Sequence, residues 1–157
     1  MIRNIILIYI FTILCIGCHE NDRLIYTTKP SVFFPDYVTG KDSVTYSFRM
    51  TKEDRDTIYL TAKLVGKSFE TRTPIGLKID KDQTTAQEGI YYEMEDSYWF
   101  EPGQGEIKIP IYLIQGGTDI DDDILTIALQ LIPTEDIDVA YEDKSRVYVR
   151  ITNKLVK

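Results

Sequence analysis

Three observations predict an all-β chain, folded as an antiparallel two-sheet sandwich of about seven or eight strands. Short segments alternate between apolar and polar residues with period two, the signature of strands with one buried face. Charged, Gly or Pro residues break these segments at short intervals, as at Glu101, Pro102, Gly103, Gln104 and Gly105 and at Gln115, Gly116 and Gly117. No amphipathic helix of useful length competes, and a parallel α/β sheet would need crossover helices.

Taken from the N-terminus, one basic residue, Arg3, precedes an apolar run over residues 5–16, and Gly17 stands before Cys18. A charged start, a short apolar run and a small residue before the cut fit an export signal, and the run is too short to span a membrane. The segment Cys15, Ile16, Gly17 and Cys18 resembles the bacterial lipobox, with Cys15 standing where Leu is usual. The resemblance implies that residues 1–17 form a lipoprotein signal peptide and that Cys18 is lipidated and becomes the new N-terminus. Plain secretion is the alternative. Two acyl chains anchor a protein stably, since each buried methylene contributes about 0.8 kcal/mol. Residues 18–29 are then a mostly polar lipidated tether, and residues 30–157 a single sandwich domain with no linker or internal repeat. Glu20 and Asp22 resemble the acidic patch of surface-exposed lipoproteins in Bacteroidetes, which implies an outer-membrane anchor facing outward.

The strands follow in order. Residues 31–34 open the domain. Val44, Tyr46, Phe48 and Met50 alternate with Ser43, Thr45, Ser47 and Arg49, and Ile58, Leu60, Ala62 and Leu64 with Tyr59, Thr61 and Lys63. Ile75, Leu77 and Ile79 come next. Beyond Tyr91 and Tyr92, the apolar faces are Ile107, Ile109, Ile111 and Leu113, then Leu125, Ile127, Leu129 and Leu131, and last Val147, Val149 and Ile151. Pro110 lacks a ladder donor, so its strand is expected at an edge or bend.

Composition narrows the function. The 157 residues carry 18 basic against 25 acidic side chains, and loss of Arg3 with the signal leaves a mature net charge of −8. An acidic surface with no basic patch disfavours nucleic acid. The chain's two cysteines are Cys15 and Cys18, so the domain has no disulfide, thiol chemistry or thiolate metal site and must hold by burial. The one histidine, His19, adjoins the anchor and is poorly placed as a general base, which leaves no Ser/His or Cys/His nucleophile pair. Glu93, Glu95, Asp96 and Glu101 stand close in sequence, but among 25 acidic residues chance proximity accounts for them. No enzymatic activity is expected.

The stretch Thr84, Thr85, Ala86, Gln87, Glu88, Gly89, Ile90, Tyr91 and Tyr92, followed by Phe100, Glu101, Pro102, Gly103, Gln104 and Gly105 and the strand over residues 106–113, resembles a Calx-beta-type, immunoglobulin-like sandwich. That family carries a threonine-alanine, glycine and aromatic pattern, then a glycine turn before an alternating strand. Together with the lipobox, the arrangement is similar to a Bacteroidetes family of small surface lipoproteins of unknown function, encoded beside SusC/SusD-type importers. The resemblance spans residues 26–155 and implies fold and context rather than a ligand. Members usually continue into a proline- and tryptophan-rich segment, whereas here the sequence stops at Leu155, Val156 and Lys157. An apolar surface left uncovered there would favour a partner.

Two constellations are candidate sites. Asp119, Asp121 and Asp123 offer hard oxygen ligands for Ca2+ at the spacing that opens an EF-hand loop, but Ile124 stands where Gly is needed and Gln130 where Glu is needed. A solvated hairpin tip is the simpler expectation, with no cofactor. Tyr91, Tyr92, Tyr98 and Trp99, with Phe100 beside them, could form a stacking platform for sugar rings or peptide side chains, although alternation sends some of these rings into the core. The expected protein is thus a non-enzymatic outer-membrane lipoprotein, an accessory of a SusC/SusD-type TonB-dependent importer. Its partners would be the importer barrel, its lid lipoprotein and a peptide or glycan cargo. A free-standing structural or adhesive surface module is the alternative.

Overall fold

Residues 106–114 show how sequence makes this fold. Glu106, Lys108 and Tyr112 are exposed, while Ile107, Ile109, Ile111 and Leu113 are buried, so one face of the strand meets water and the other a core. The computed structural model describes residues 29–35, 42–48, 54–115 and 124–152. In chain order its strands are Ser31–Phe33 (β1), Ser43–Ser47 (β2), Arg55–Val65 (β3), Thr73–Pro74 (β4), Gly76–Ile79 (β5), Tyr92–Glu93 (β6), Trp99–Phe100 (β7), Glu106–Ile114 (β8), Leu125–Ile132 (β9), Asp138–Val139 (β10) and Arg146–Thr152 (β11). A short 3-10 helix, Glu142–Lys144, precedes β11. Four of these strands are two residues long, too short for a period to register, and the longer ones are those that alternation predicts.

Two sheets pack face to face. One has the order β10-β1-β3-β8-β6 and the other β2-β11-β9-β5, with β4 and β7 forming a small separate pair. Leu60, Ile109, Ile111 and Leu113 from the first meet Ile127, Leu129, Val147, Val149 and Ile151 from the second in one core, all at most 1% exposed. Each such side chain contributes about 1.5–3 kcal/mol on burial. Tyr46 on β2 donates a 2.7 Å hydrogen bond to Asp56 on β3, tying one sheet to the other.

Among the described residues the strands pair antiparallel except β1 with β10 and β2 with β11, which run parallel. Alternation sets which face of a strand is buried and carries no information about its neighbour's direction. Pro110 lies within β8 opposite Tyr59 of β3, at a point that β6, pairing only through Tyr92 and Glu93, does not reach. The missing N–H thus faces an open edge, as the sequence predicts, and the Pro110 carbonyl on that edge accepts a 3.3 Å hydrogen bond from the Tyr98 hydroxyl.

The threonine-alanine segment finishes the other sheet. Past β5 the chain continues along β9, where Asp80 N–H donates to the Ala128 carbonyl and the N–H groups of Thr85 and Ala86 donate to the Thr126 carbonyl. The hydroxyls of Thr84 and Thr85 accept from the N–H groups of Ala128 and Thr126 at 3.0 and 2.9 Å. Two small hydroxyl side chains therefore satisfy an edge that a full strand would otherwise cover.

Candidate functional site

The structure separates the four aromatic residues that the sequence groups. Tyr92 and Tyr98 are 2% and 7% exposed and belong to the core, so neither shows enough ring to stack a ligand. Tyr91 is half-buried against the same core. Burial pushes both core phenols above the usual tyrosine range, with Glu88 adding to the rise at Tyr92. The Tyr98 hydroxyl serves structure, accepting from the Glu95 N–H at 3.1 Å while donating to the Pro110 carbonyl. Trp99 is the most exposed of the four, at 36%.

Trp99 forms one wall of a cleft of about 440 Å3 between β5 and the segment 94–99. Leu77, Ile79 and Met94 give this cleft an apolar lining. Around them stand Lys78, Lys81, Glu88, Glu95 and Asp96, and among the described residues none of these five side chains is in an ion pair. The Arg72 guanidinium sits 4.2 Å from the Trp99 ring centroid and is itself held by Glu101 at 3.0 Å. That cation–π contact, about 0.5–1 kcal/mol at an exposed site, occupies one face of the indole and fixes its plane. The turn that carries Glu101 is closed by Gly103, whose φ of 79° favours glycine and whose N–H donates to the Phe69 carbonyl. The cleft can therefore grip a small apolar or amphipathic group and offer both charges at its rim.

The carboxylates adjacent in sequence are dispersed in space. Glu95 and Asp96 border the cleft, Glu101 pairs with Arg72, and Glu93 lies across from Tyr112 on the outer face of the other sheet. Among the described residues there is no group of three His, Cys, Asp or Glu placed to hold a metal ion. Cys18, Asp119, Asp121 and Asp123 lie outside the described residues.

A second aromatic surface was not among the sequence candidates. On the outer face of the five-stranded sheet, Tyr59 is 60% exposed opposite Pro110, and Tyr112 is 40% exposed opposite Thr57. Both residues occupy outward positions of alternating strands, with Leu60 and Leu113 beside them pointing inward. That parity was the available signal, since alternation puts both rings on the face opposite Leu60 and Leu113.

This architecture defines a class: the chain is a Calx-beta-like β-sandwich. It is similar to the apo form of the Calx CBD1 domain, at 15% identity and a TM-score of 0.57, covering 82% of this chain and all of that one. It also resembles a Bacteroides ovatus protein inferred to bind carbohydrate, at 9% identity and a TM-score of 0.54, covering 80% of this chain and 37% of that protein. A two-domain Bacteroides fragilis protein of unknown function matches at 10% identity and a TM-score of 0.54, over 86% of this chain and half of that one. Identities this low show the fold alone, and the chain spans half or less of the two Bacteroides proteins. Among curated proteins none matches the sequence. By sequence the chain belongs to the family described as a domain of unknown function, DUF4843, whose model matches residues 21–157.

Proposed function

We infer that this protein is a lipid-anchored, non-enzymatic binding module of the outer membrane that serves as an accessory of a SusC/SusD-type TonB-dependent importer. The observation that carries the reading is the position of Cys18, eleven residues ahead of Lys29, where the described sandwich begins. Eleven residues reach at most about 40 Å when fully extended. A sandwich on so short a tether stays beside the membrane and within reach of an importer barrel and its lid. The Trp99 cleft suits cargo, because an apolar lining with charges of both signs at its rim accommodates peptide or glycan groups without demanding one fixed charge. Structural likeness to Bacteroides proteins, one of them inferred to bind carbohydrate, supports this context.

The test is a mild-detergent pull-down of the full-length lipidated protein from its native membrane, with mass spectrometry of what accompanies it. Recovery of a TonB-dependent barrel with its lid lipoprotein is expected. Recovery of the protein alone would overturn the accessory role and leave a free-standing surface module.

A further inference from the structure

We propose that the outer face of the five-stranded sheet is a carbohydrate-binding platform on which Tyr59 and Tyr112 stack against uncharged sugar rings. The pairing register places Tyr59 opposite Pro110 and Tyr112 opposite Thr57, so the two rings occupy diagonal positions on neighbouring strands. Such positions lie about 7–8 Å apart, close enough for both rings to serve one ligand. Both rings are held by the two longest strands of the sheet, and stacking on them requires no movement of backbone.

Charge and chemistry identify the ligand class. Thr57, Tyr59, Thr61, Pro110 and Tyr112 form an uncharged strip in a chain of which 27% is charged. A neutral ligand covers such a strip without the cost of desolvating an unpaired charge. The negative faces of the phenol rings attract the weakly positive C–H groups on the flat side of a sugar. At the borders, exposed Glu93 stands across from Tyr112, exposed Lys108 across from Thr61, and exposed Arg55 two residues before Thr57 on the same face, an acceptor and two donors for sugar hydroxyls.

Size separates a sugar from a protein partner. At 60% and 40% exposure the two tyrosines present on the order of 200 Å2 of side chain. A stable protein interface needs about 800 Å2 on each partner. The ion pair of Lys63 with Glu106 at 3.7 Å closes the strip on one side, so the uncharged surface does not extend to the aromatic pair of Phe33 and Tyr141. A few sugar rings fill what remains. The inference stands apart from both the cleft and the importer, since a sugar-binding face would serve a free-standing module equally.

The experiment titrates full-length lipidated protein, held in a detergent without a sugar headgroup, with cellohexaose, xylohexaose, mannohexaose and maltohexaose by calorimetry. At least one hexasaccharide is expected to bind. Tyr59→Ala and Tyr112→Ala should each weaken that binding roughly tenfold, whereas Tyr59→Phe and Tyr112→Phe, which keep the ring, should not. Tyr141→Ala, which removes an exposed ring beyond the Lys63–Glu106 ion pair, should leave it unchanged. Circular dichroism of the alanine variants should match the parent, because both side chains are exposed. The proposal is overturned if none of the four sugars binds at millimolar concentration, if the double alanine variant binds like the parent, or if Trp99→Ala abolishes binding while the tyrosine variants keep it. Loss of the importer from the pull-down with the double variant, in the absence of any sugar binding, would make this face a protein interface and overturn it too.

Discussion

Two groups of aromatic residues divide the labour of this sandwich. One lies contiguous in sequence, over residues 91–100, and most of it is buried: Tyr92, Tyr98 and Phe100 are 2%, 7% and 0% exposed. The other, Tyr59 and Tyr112, comes from strands distant in sequence and stands in water on one sheet face. Closeness along the chain is therefore a poor guide to a shared surface in a β protein. Successive residues of a strand point to opposite faces, while cross-strand neighbours share one.

The largest expected effect tests the structural side of that contrast. Phe100→Ala removes a fully buried ring that packs against Phe69 at a 6.0 Å centroid distance. Unfolding in urea should show a loss of about 3–5 kcal/mol, the range for such truncations. A cost below 1 kcal/mol would place the ring outside the core. Gly76→Ala comes next, because a Cβ there would overlap the backbone carbonyl of Ile132 on the paired strand. Overpacking against backbone that cannot rotate away should cost about 1–3 kcal/mol in the same measurement.

What was legible follows from the same geometry. The faces of β8, β9 and β11 could be read in advance, since each strand is long enough for alternation to name its buried residues. Pro110 announced its open edge through a missing donor. The parallel neighbours of β1 and β2 could not be read, because direction leaves no mark on a period-two pattern. Nor could the cleft, whose lining combines Leu77 and Ile79 of an edge strand with Met94 and Trp99 from a later segment. Tyr91, Tyr92, Tyr98 and Trp99 were found as a group but not as a surface, since β6 and β7 are too short for their parity to be assigned from sequence.

Smaller effects sharpen the contrast at a single hydroxyl. Tyr98→Phe keeps the buried ring and deletes the bonds to the Glu95 N–H and the Pro110 carbonyl, so a loss of about 1 kcal/mol is expected on urea unfolding. The same hydroxyl gives a pH signature. Burial raises the Tyr98 phenol in the folded state, and Tyr92 behaves likewise. The folded chain therefore holds these protons more tightly than the unfolded chain. Their contribution is fully present below about pH 10, the unfolded value, and is lost as pH rises from there through the raised folded values. Thermal melts across pH 8 to 12 should show this alkaline decline, and Tyr98→Phe should flatten it. An unchanged slope in the variant would mean that other groups carry the decline.

The smallest expected change falls on the exposed pair. Tyr59→Ala and Tyr112→Ala remove rings that touch water over 60% and 40% of their surface, and neither phenol hydroxyl has a hydrogen-bond partner among the described residues. Stability should shift by no more than about 0.5 kcal/mol, the range for surface substitutions that disturb no cap, cavity or network. Loss of cross-strand contact with Pro110 and Thr57 pulls toward destabilisation. The unfolded chain exposes more of each ring than the folded chain does, so the lost burial has the same sign, and at 60% and 40% exposure it stays small. A measured loss above 2 kcal/mol would show that these tyrosines brace the sheet as Phe100 does, and the division between a packed aromatic group and a free one would collapse. A near-zero shift would mean that the rings add nothing to the fold, which is the condition a surface held open for a ligand must meet.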